Sequence, residues 1–206
     1  MNKSEEIVAA MEDYAVRYNV PIITKEGVAL LAKTVIERQP CSILEIGTAI
    51  GYSTLHMALN QPANGRIATI EINPARIELA RNYLFAAGII DKVDLLLGDA
   101  GDIIPRLDSD FDMLFIDAAK GQYLDYLNKA TPMLLPGAAI VTDNILFRGW
   151  VYGSNQDTPR RFRTIVKRLR AYLDFIMNDS RFDTTIFPVG DGDGMAISYY
   201  KGKEKN

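Results

Sequence analysis

The 206-residue sequence predicts an α/β fold: a doubly wound, mostly parallel seven-stranded sheet with a C-terminal antiparallel hairpin and two extra N-terminal helices. Three observations carry this prediction. Short apolar runs alternate with helical segments between residues 42 and 142, the rhythm of βαβ units. The first run empties into a glycine loop, Gly47 to Gly51, as a strand does at the carboxyl edge of an open sheet. The tail changes character, with Thr184 to Val189 and Met195 to Tyr200 flanking a glycine-rich turn.

Taken in order, Ile7, Val8, Met11 and Ala15 recur at helical spacing within residues 4–18, and Val28, Leu31, Ala32 and Val35 do so within 25–37. Ser42 to Ile46 reads as a buried strand and Tyr52 to Leu59 as a helix. Ile67 to Glu71 is the second strand; Asn73 followed by Pro74 is an N-cap with proline at the first helical position, and Gly88 closes that helix. Strand Val93 to Leu97, a short helix near Asp102 to Leu107, strand Asp112 to Asp117, helix Tyr123 to Met133 and strand Ala138 to Thr142 follow. A long helix, Pro159 to Met177, precedes the hairpin; Phe162, Ile165, Val166, Leu169, Tyr172, Leu173 and Ile176 form its apolar stripe. Repeats, low-complexity tracts and linkers are absent from the sequence, so residues 1–206 read as one domain.

Composition narrows the class. One cysteine, Cys41, leaves no intrachain disulfide framework and no cysteine-based zinc site, and points to a reducing, cytoplasmic setting. Neither a signal peptide nor a membrane-spanning run is legible. The net charge of −3 leans away from nucleic acid, but it is an average. Between Arg148 and Arg170 lie Arg148, Arg160, Arg161, Arg163, Lys167, Arg168 and Arg170 against only Asp157, a net +6, leaving −9 for the rest. Arg160 and Arg161 fall in the first turn of the long helix, where the helix dipole disfavours cations, so a bound anion would compensate them; a solvated basic face is the alternative.

The loop Glu45-Ile46-Gly47-Thr48-Ala49-Ile50-Gly51-Tyr52-Ser53 lacks the GxGxxG spacing that dinucleotides need. An acid two residues before the first glycine repels pyrophosphate yet suits an ammonium, and Glu71, about 24 residues on, suits the ribose hydroxyls of a nucleoside. S-adenosylmethionine combines both groups. Asp99 and Ala100, after the third strand, are placed to contact its adenine. Strands four and five end in Asp117 and in Asp143-Asn144, three hard oxygen donors suited to magnesium; each is also compatible with a plain turn. Lys120, three residues after Asp117, is a candidate general base, because a nearby divalent cation disfavours a charged lysine; a solvated helix-start lysine is the alternative. Phe147-Arg148-Gly149-Trp150-Val151-Tyr152 joins arginine to aromatics, as unstacked bases require, although Trp150 and Tyr152 equally suit a lid or a dimer contact. His56 and Cys41 read as packing residues.

EIGTAIGYS, the acid of TIEINPAR, GDAGDIIP, FIDAAK and TDN together resemble the metal-dependent S-adenosylmethionine O-methyltransferases, the Rossmann-like family that includes catechol and caffeoyl-CoA O-methyltransferases. The resemblance covers about residues 20 to 200. It implies that Asp117, Asp143 and Asn144 hold the metal, that Lys120 takes the hydroxyl proton, and that Glu71 binds ribose. Gly47, Tyr52 and Ser53 would line the methionine part, Ile22 would contribute from the N-terminal segment, and Glu45, Asp99, Ala100 and Asp117 complete the cofactor set. Ala118-Ala119 stand where the animal catechol enzyme has His-Trp, and Ala100-Gly101 where it has Ser-Gln. DNILFRGWV, the arginine-rich helix and FPVGDGDGMAIS look most like the bacterial tRNA 5-hydroxyuridine methyltransferase branch. That likeness implies a tRNA partner contacted by Arg148, Trp150, Arg160, Arg161, Arg163 and Arg168; a small catechol or phenolic metabolite is the alternative acceptor. The extra Asp-Gly in GDGDG reads as a longer hairpin turn rather than a calcium loop. Dimers are usual among relatives, and a homodimer with no membrane association is expected.

Overall fold

The computed structural model describes residues 3–154, 158–190 and 192–202. Its elements in chain order are α1 (Lys3–Tyr18), α2 (Lys25–Arg38), β1 (Ser42–Ile46), α3 (Tyr52–Asn60), β2 (Arg66–Glu71), α4 (Pro74–Ala86), β3 (Val93–Leu97), α5 (Ala100–Ile103), β4 (Phe111–Ile116), α6 (Tyr123–Ala130), β5 (Leu134–Thr142), α7 (Arg163–Asn178), β6 (Phe182–Val189) and β7 (Asp193–Tyr200). The strands form a seven-stranded sheet in the order β3-β2-β1-β4-β5-β7-β6. This is the expected Rossmann-like α/β fold, mostly parallel with an antiparallel C-terminal pair. Among the described residues no helix is long and apolar enough to cross a membrane. The chain divides into two compact units, one ending at Ile103 and the other beginning at Ile104.

In the first unit β1 pairs in parallel with β2, and β2 with β3. Ile43, Leu44, Ile46, Ile67 and Ile70 are buried, the continuous apolar pattern of strands covered on both faces. The helix ends follow the sequence signals. Thr24 caps α2 by accepting from the Gly27 amide, and the Asn73 side chain accepts from the Ala75 and Arg76 amides at the start of α4. Gly88, at φ +73°, then turns the chain out of α4 in a conformation that a side chain would strain.

In the second unit β4 and β5 are parallel, and β7 runs antiparallel to both β5 and β6. β5 begins earlier than its apolar run suggests: Leu134 pairs with Phe111, Leu135 to Gly137 bulge outward, and pairing resumes at Ala139. Pro136 lacks a ladder donor, which is why the sequence there does not read as strand. The helix expected from Tyr123 to Met133 is α6 closed by a tight 3₁₀ turn, Thr131–Met133. α7 buries Val166, Leu169, Tyr172, Leu173 and Ile176, the predicted stripe, while Phe162 and Ile165 stay half-exposed. Tyr172 meets Tyr123 of α6 edge to face at 5.8 Å, and its hydroxyl is bonded to Thr142 of β5 at 2.5 Å. Each such fully buried aromatic contributes about 2–3 kcal/mol through its apolar surface, so this pair fastens α6 and α7 to the strand that delivers Asp143.

The expected start of the long helix requires correction. Arg160 to Phe162 form a separate 3₁₀ turn and α7 begins at Arg163. Arg160 and Arg161 therefore precede the first α-helical turn, in a 3₁₀ turn that runs directly into the positive end of α7. Cys41 is exposed rather than packed. Asp157 and Asp191, named in the charge count and in GDGDG, lie outside the described residues.

Candidate active site

In the first unit the turn from β1 into α3 is built by hydrogen bonds that a glycine-rich backbone makes available. Gly47 and Thr48 both donate to the carbonyl of Ile70, which ties the loop across to β2. Gly51 takes φ +86°, and a Cβ there would lie 3.2 Å from that of Ala80, so α4 packs directly against the turn. Glu71 braces the same loop: one carboxylate oxygen accepts from the Ala49 amide and the other from the Asn73 amide, each at 2.8 Å. With 6% exposure, Glu71 still has lone pairs left for an incoming hydroxyl.

Glu45 is completely buried, and its carboxylate accepts from the hydroxyls of Ser53 and Thr54 at 2.5 Å and of Thr69 at 2.6 Å. Thr48 and Thr69 share a further hydroxyl bond at 2.6 Å. Charge-assisted bonds of this kind offset the desolvation of a buried carboxylate; an ammonium at Glu45 would have to join these hydroxyls. Asp99 accepts from the Gly101 amide at 2.7 Å, Ala100 beside it is buried, and Ile22 is half-buried.

Sequence reasoning missed Glu12 of α1. Its carboxylate accepts from the Tyr52 hydroxyl at 2.8 Å and pairs with Lys25 at 2.9 Å, so the first two helices both hold the first residue of α3. Burial and this carboxylate push the Tyr52 hydroxyl well above its ordinary pKa. Beside it, the His56 ring meets Tyr52 edge-on at 4.8 Å, and burial lowers its pKa. No sequence signal distinguishes Glu12 from the other acids of α1.

In the second unit the ends of β4 and β5 bring the predicted oxygen donors and the lysine together. The Asp143 amide donates to the carbonyl of Ile116, which sets Asp143 beside the end of β4. Lys120 donates to the amide oxygen of Asn144 at 2.5 Å and lies 4.0 Å from the Asp117 carboxylate. It is a partly buried member of this cluster, not a solvated surface lysine. Asn144 takes φ +54°, and its own amide donates to Asp143 at 2.8 Å.

Burial first, then the neighbouring Asp117 carboxylate, pushes Asp143 up to about 7. Burial likewise raises Asp117, against the pull of Lys120. The cluster thus crowds two carboxyl groups whose joint ionisation is disfavoured, and a hard divalent cation would favour the charged forms. Among the described residues no group of three or more His, Cys, Asp or Glu side chains is placed to hold a metal. The donors here are two carboxylates and an amide.

The same shift sets a pH dependence. The folded pKa of Asp143 lies above its ordinary value of 3.8, so its contribution to stability is complete below that value and is lost as pH rises to about 7. In metal-free buffer the melting temperature of the wild type relative to Asp143→Asn should fall as pH is raised across that window, reflecting a loss on the order of a few kcal/mol. Calorimetry of both proteins over the same range checks it, and a difference that does not change with pH would show that Asp143 is not desolvated.

Beyond Asn144 the loop carries an aromatic cluster. Phe147 meets Trp150 and Phe162 edge-on, each at 5.5 Å, and Trp150 stacks on Phe162 at 5.1 Å. Arg148 lies 5.7 Å from the Trp150 ring and Arg161 4.6 Å from the Phe162 ring. Arg160, Arg161, Arg163 and Arg168 are exposed, although Arg163 donates to the carbonyl of Thr158 and Arg168 to that of Gly121. Arg170 differs from them: it donates to the carbonyls of Val151, Trp150 and Gly153 and clamps the loop from α7.

Residues 12–199 match the family model described as O-methyltransferase. The chain belongs to the O-methyltransferase family. Among curated members, the catechol O-methyltransferase of Niastella koreensis is 36% identical over 170 residues, 79% of this chain and 75% of that one. Caffeoyl-CoA O-methyltransferase 1 of Eucalyptus globulus is 35% identical over 161 residues, 72% of this chain and 63% of that enzyme, so the chain spans less than two thirds of the plant relative. The crystal structure of an O-methyltransferase from Bacillus cereus in complex with SAH superposes with a TM-score of 0.86 at 26% identity, covering 95% of this chain and 91% of the other. For this O-methyltransferase family member, the glycine loop and Asp117, Lys120, Asp143 and Asn144 fall within the matched residues 12–199.

Proposed function

We propose that the chain is an S-adenosylmethionine- and divalent-cation-dependent O-methyltransferase that converts 5-hydroxyuridine at the tRNA wobble position to 5-methoxyuridine. The observation that carries the acceptor reading is the surface that follows Asn144. Phe147, Trp150 and Phe162 form an aromatic cluster flanked by Arg148 and Arg161, with Arg160, Arg163 and Arg168 exposed nearby in sequence. Aromatic faces suit an unstacked base, and exposed guanidinium groups suit the phosphates that flank it.

The donor reading rests on Glu71, braced by two amides and positioned for ribose hydroxyls, and on the glycine loop with Tyr52 and Ser53. S-adenosylmethionine supplies the methyl group. Asp117, Asp143 and Asn144 would hold the cation, whose chemistry is electrophilic stabilisation of the acceptor oxygen as it loses its proton. The role of Lys120 is then to take the hydroxyl proton on Nζ, which Asn144 already holds among these oxygens. A hydroxyl beside a carbonyl, as in 5-hydroxyuridine, offers the paired oxygens that such a site favours.

A second reading, O-methylation of a small catechol or caffeoyl-CoA-like phenolic, is favoured by what the curated relatives are named for. One experiment separates the two. The protein is incubated with donor, magnesium and tRNA from a strain lacking this methylation, and nucleosides are analysed by mass. A gain of one methyl on 5-hydroxyuridine is expected; no gain there with gain on a catechol would replace the first reading with the second.

A further inference from the structure

Asp193 and Gly194, the last two residues of the GDGDG stretch read from sequence as a longer hairpin turn, grip the loop that follows Asn144. One oxygen of Asp193, Oδ1, accepts from three backbone amides: Leu146 at 3.1 Å, Phe147 at 3.0 Å and its neighbour Gly194 at 2.8 Å. Next to these, the Ile145 amide donates to the carbonyl of Gly194 at 2.9 Å. The glycines are part of the grip. A Cβ on Gly194 would stand 3.0 Å from both the Leu146 side chain and the carbonyl oxygen of Phe187, and one on Gly192 would stand 3.4 Å from the backbone of Arg148.

The gripped loop is one that would not hold itself. Asn144, Phe147 and Arg148 all take left-handed backbone conformations, at φ +54°, +44° and +60°, which residues with a Cβ avoid. Such a conformation persists when its surroundings over-determine it. Here the Asp193 carboxylate holds the amides at the middle of the loop, and Arg170 holds the carbonyls at its far end.

We infer that Asp193 is a positioning residue for the acceptor: through Oδ1 it fixes the 145–148 loop so that Phe147, Arg148 and Trp150 are presented in one arrangement. The inference rests on the reading of that loop as acceptor-facing. Asp193 itself touches no reacting atom; what the loop needs from it is the oxygen, and an asparagine amide oxygen accepts the same three donors.

The test uses Asp193→Ala and Asp193→Asn in the full chain, with three readouts: amide hydrogen exchange, steady-state kinetics and donor binding by calorimetry. Asp193→Ala should speed exchange at Leu146 and Phe147 about tenfold, the equivalent of losing one hydrogen bond of about 1.4 kcal/mol. It should raise the acceptor KM by about tenfold while donor affinity stays within about twofold. Asp193→Asn should restore both exchange and KM. Unchanged exchange in Asp193→Ala overturns the inference, and so does a released loop with an unchanged acceptor KM. If Asp193→Ala fails to fold, the wild-type protein decides. The Leu146 and Phe147 amides must exchange at least about tenfold more slowly than the same sequence does in an unfolded chain, and unprotected rates overturn the inference. Wild-type inactivity toward every acceptor would defeat the proposed function alone, since the exchange measurements need no acceptor.

Discussion

Asp143→Ala is expected to lower methyl transfer by about a thousandfold or more while leaving donor affinity nearly intact. The size follows from the several kcal/mol that electrophilic assistance by a cation contributes to a developing oxyanion, at 1.36 kcal/mol per factor of ten. The selectivity follows from where the residues lie. Asp143 follows β5 and bonds to Asn144, whereas the bonds that brace the glycine loop run from Glu71 and Glu45 within the first unit. Because Asp143 also accepts the Asn144 amide, an unchanged melting temperature of the variant is the control that separates inactivity from unfolding. A chelator should reproduce the loss in the wild-type protein, and added magnesium should reverse it. Full activity in the chelator would refute the divalent-cation reading.

Neutralising Arg160, Arg161 and Arg163 together should cut tRNA methylation steeply, by about a hundredfold at moderate salt, and should flatten its dependence on salt. Every phosphate that is no longer neutralised takes close to one unit from the slope of log affinity against log salt concentration. All three side chains are exposed at the junction of the 3₁₀ turn and α7 and none belongs to the apolar stripe, so folding should lose little more than the Arg163 bond to the Thr158 carbonyl, about 1 kcal/mol. The same variant should treat a small neutral catechol as the wild type does. Kinetics at several salt concentrations with both acceptors therefore test the substrate class and not merely the patch. Including Arg170 would spoil the experiment, because its three bonds to loop carbonyls make it part of the scaffold.

That contrast shows what could be read from the sequence and what could not. Strand and helix alternation, the Asn73-Pro74 start of α4, the Gly88 exit and the apolar stripe of α7 were legible because each is a local pattern of spacing or capping. The early start of β5 was hidden by Pro136 and the bulge around it, where the ladder lapses and resumes. Arg168 and Arg170 are alike in composition and two residues apart, yet one is exposed and the other is a clamp; only the folded position of residues 150–153 separates them. Within the candidate site, Asp117, Lys120, Asp143 and Asn144 were found because all lie at or just beyond strand ends. Glu12 and Asp193 were not, since their partners lie about 40 and 46 to 47 positions away in the chain and no spacing rule encodes such pairings.

Cys41 stands exposed just ahead of β1, five residues before the strand ends in the glycine loop. As the sole thiol in the chain, it offers a single address for a maleimide dye. The dye would attach at the amino end of a strand whose carboxyl end carries the turn, so it would leave the turn itself untouched. Labelling would be one to one with no cysteine to remove first, and an ordinary surface residue becomes the place to fix the protein to a dye or a support.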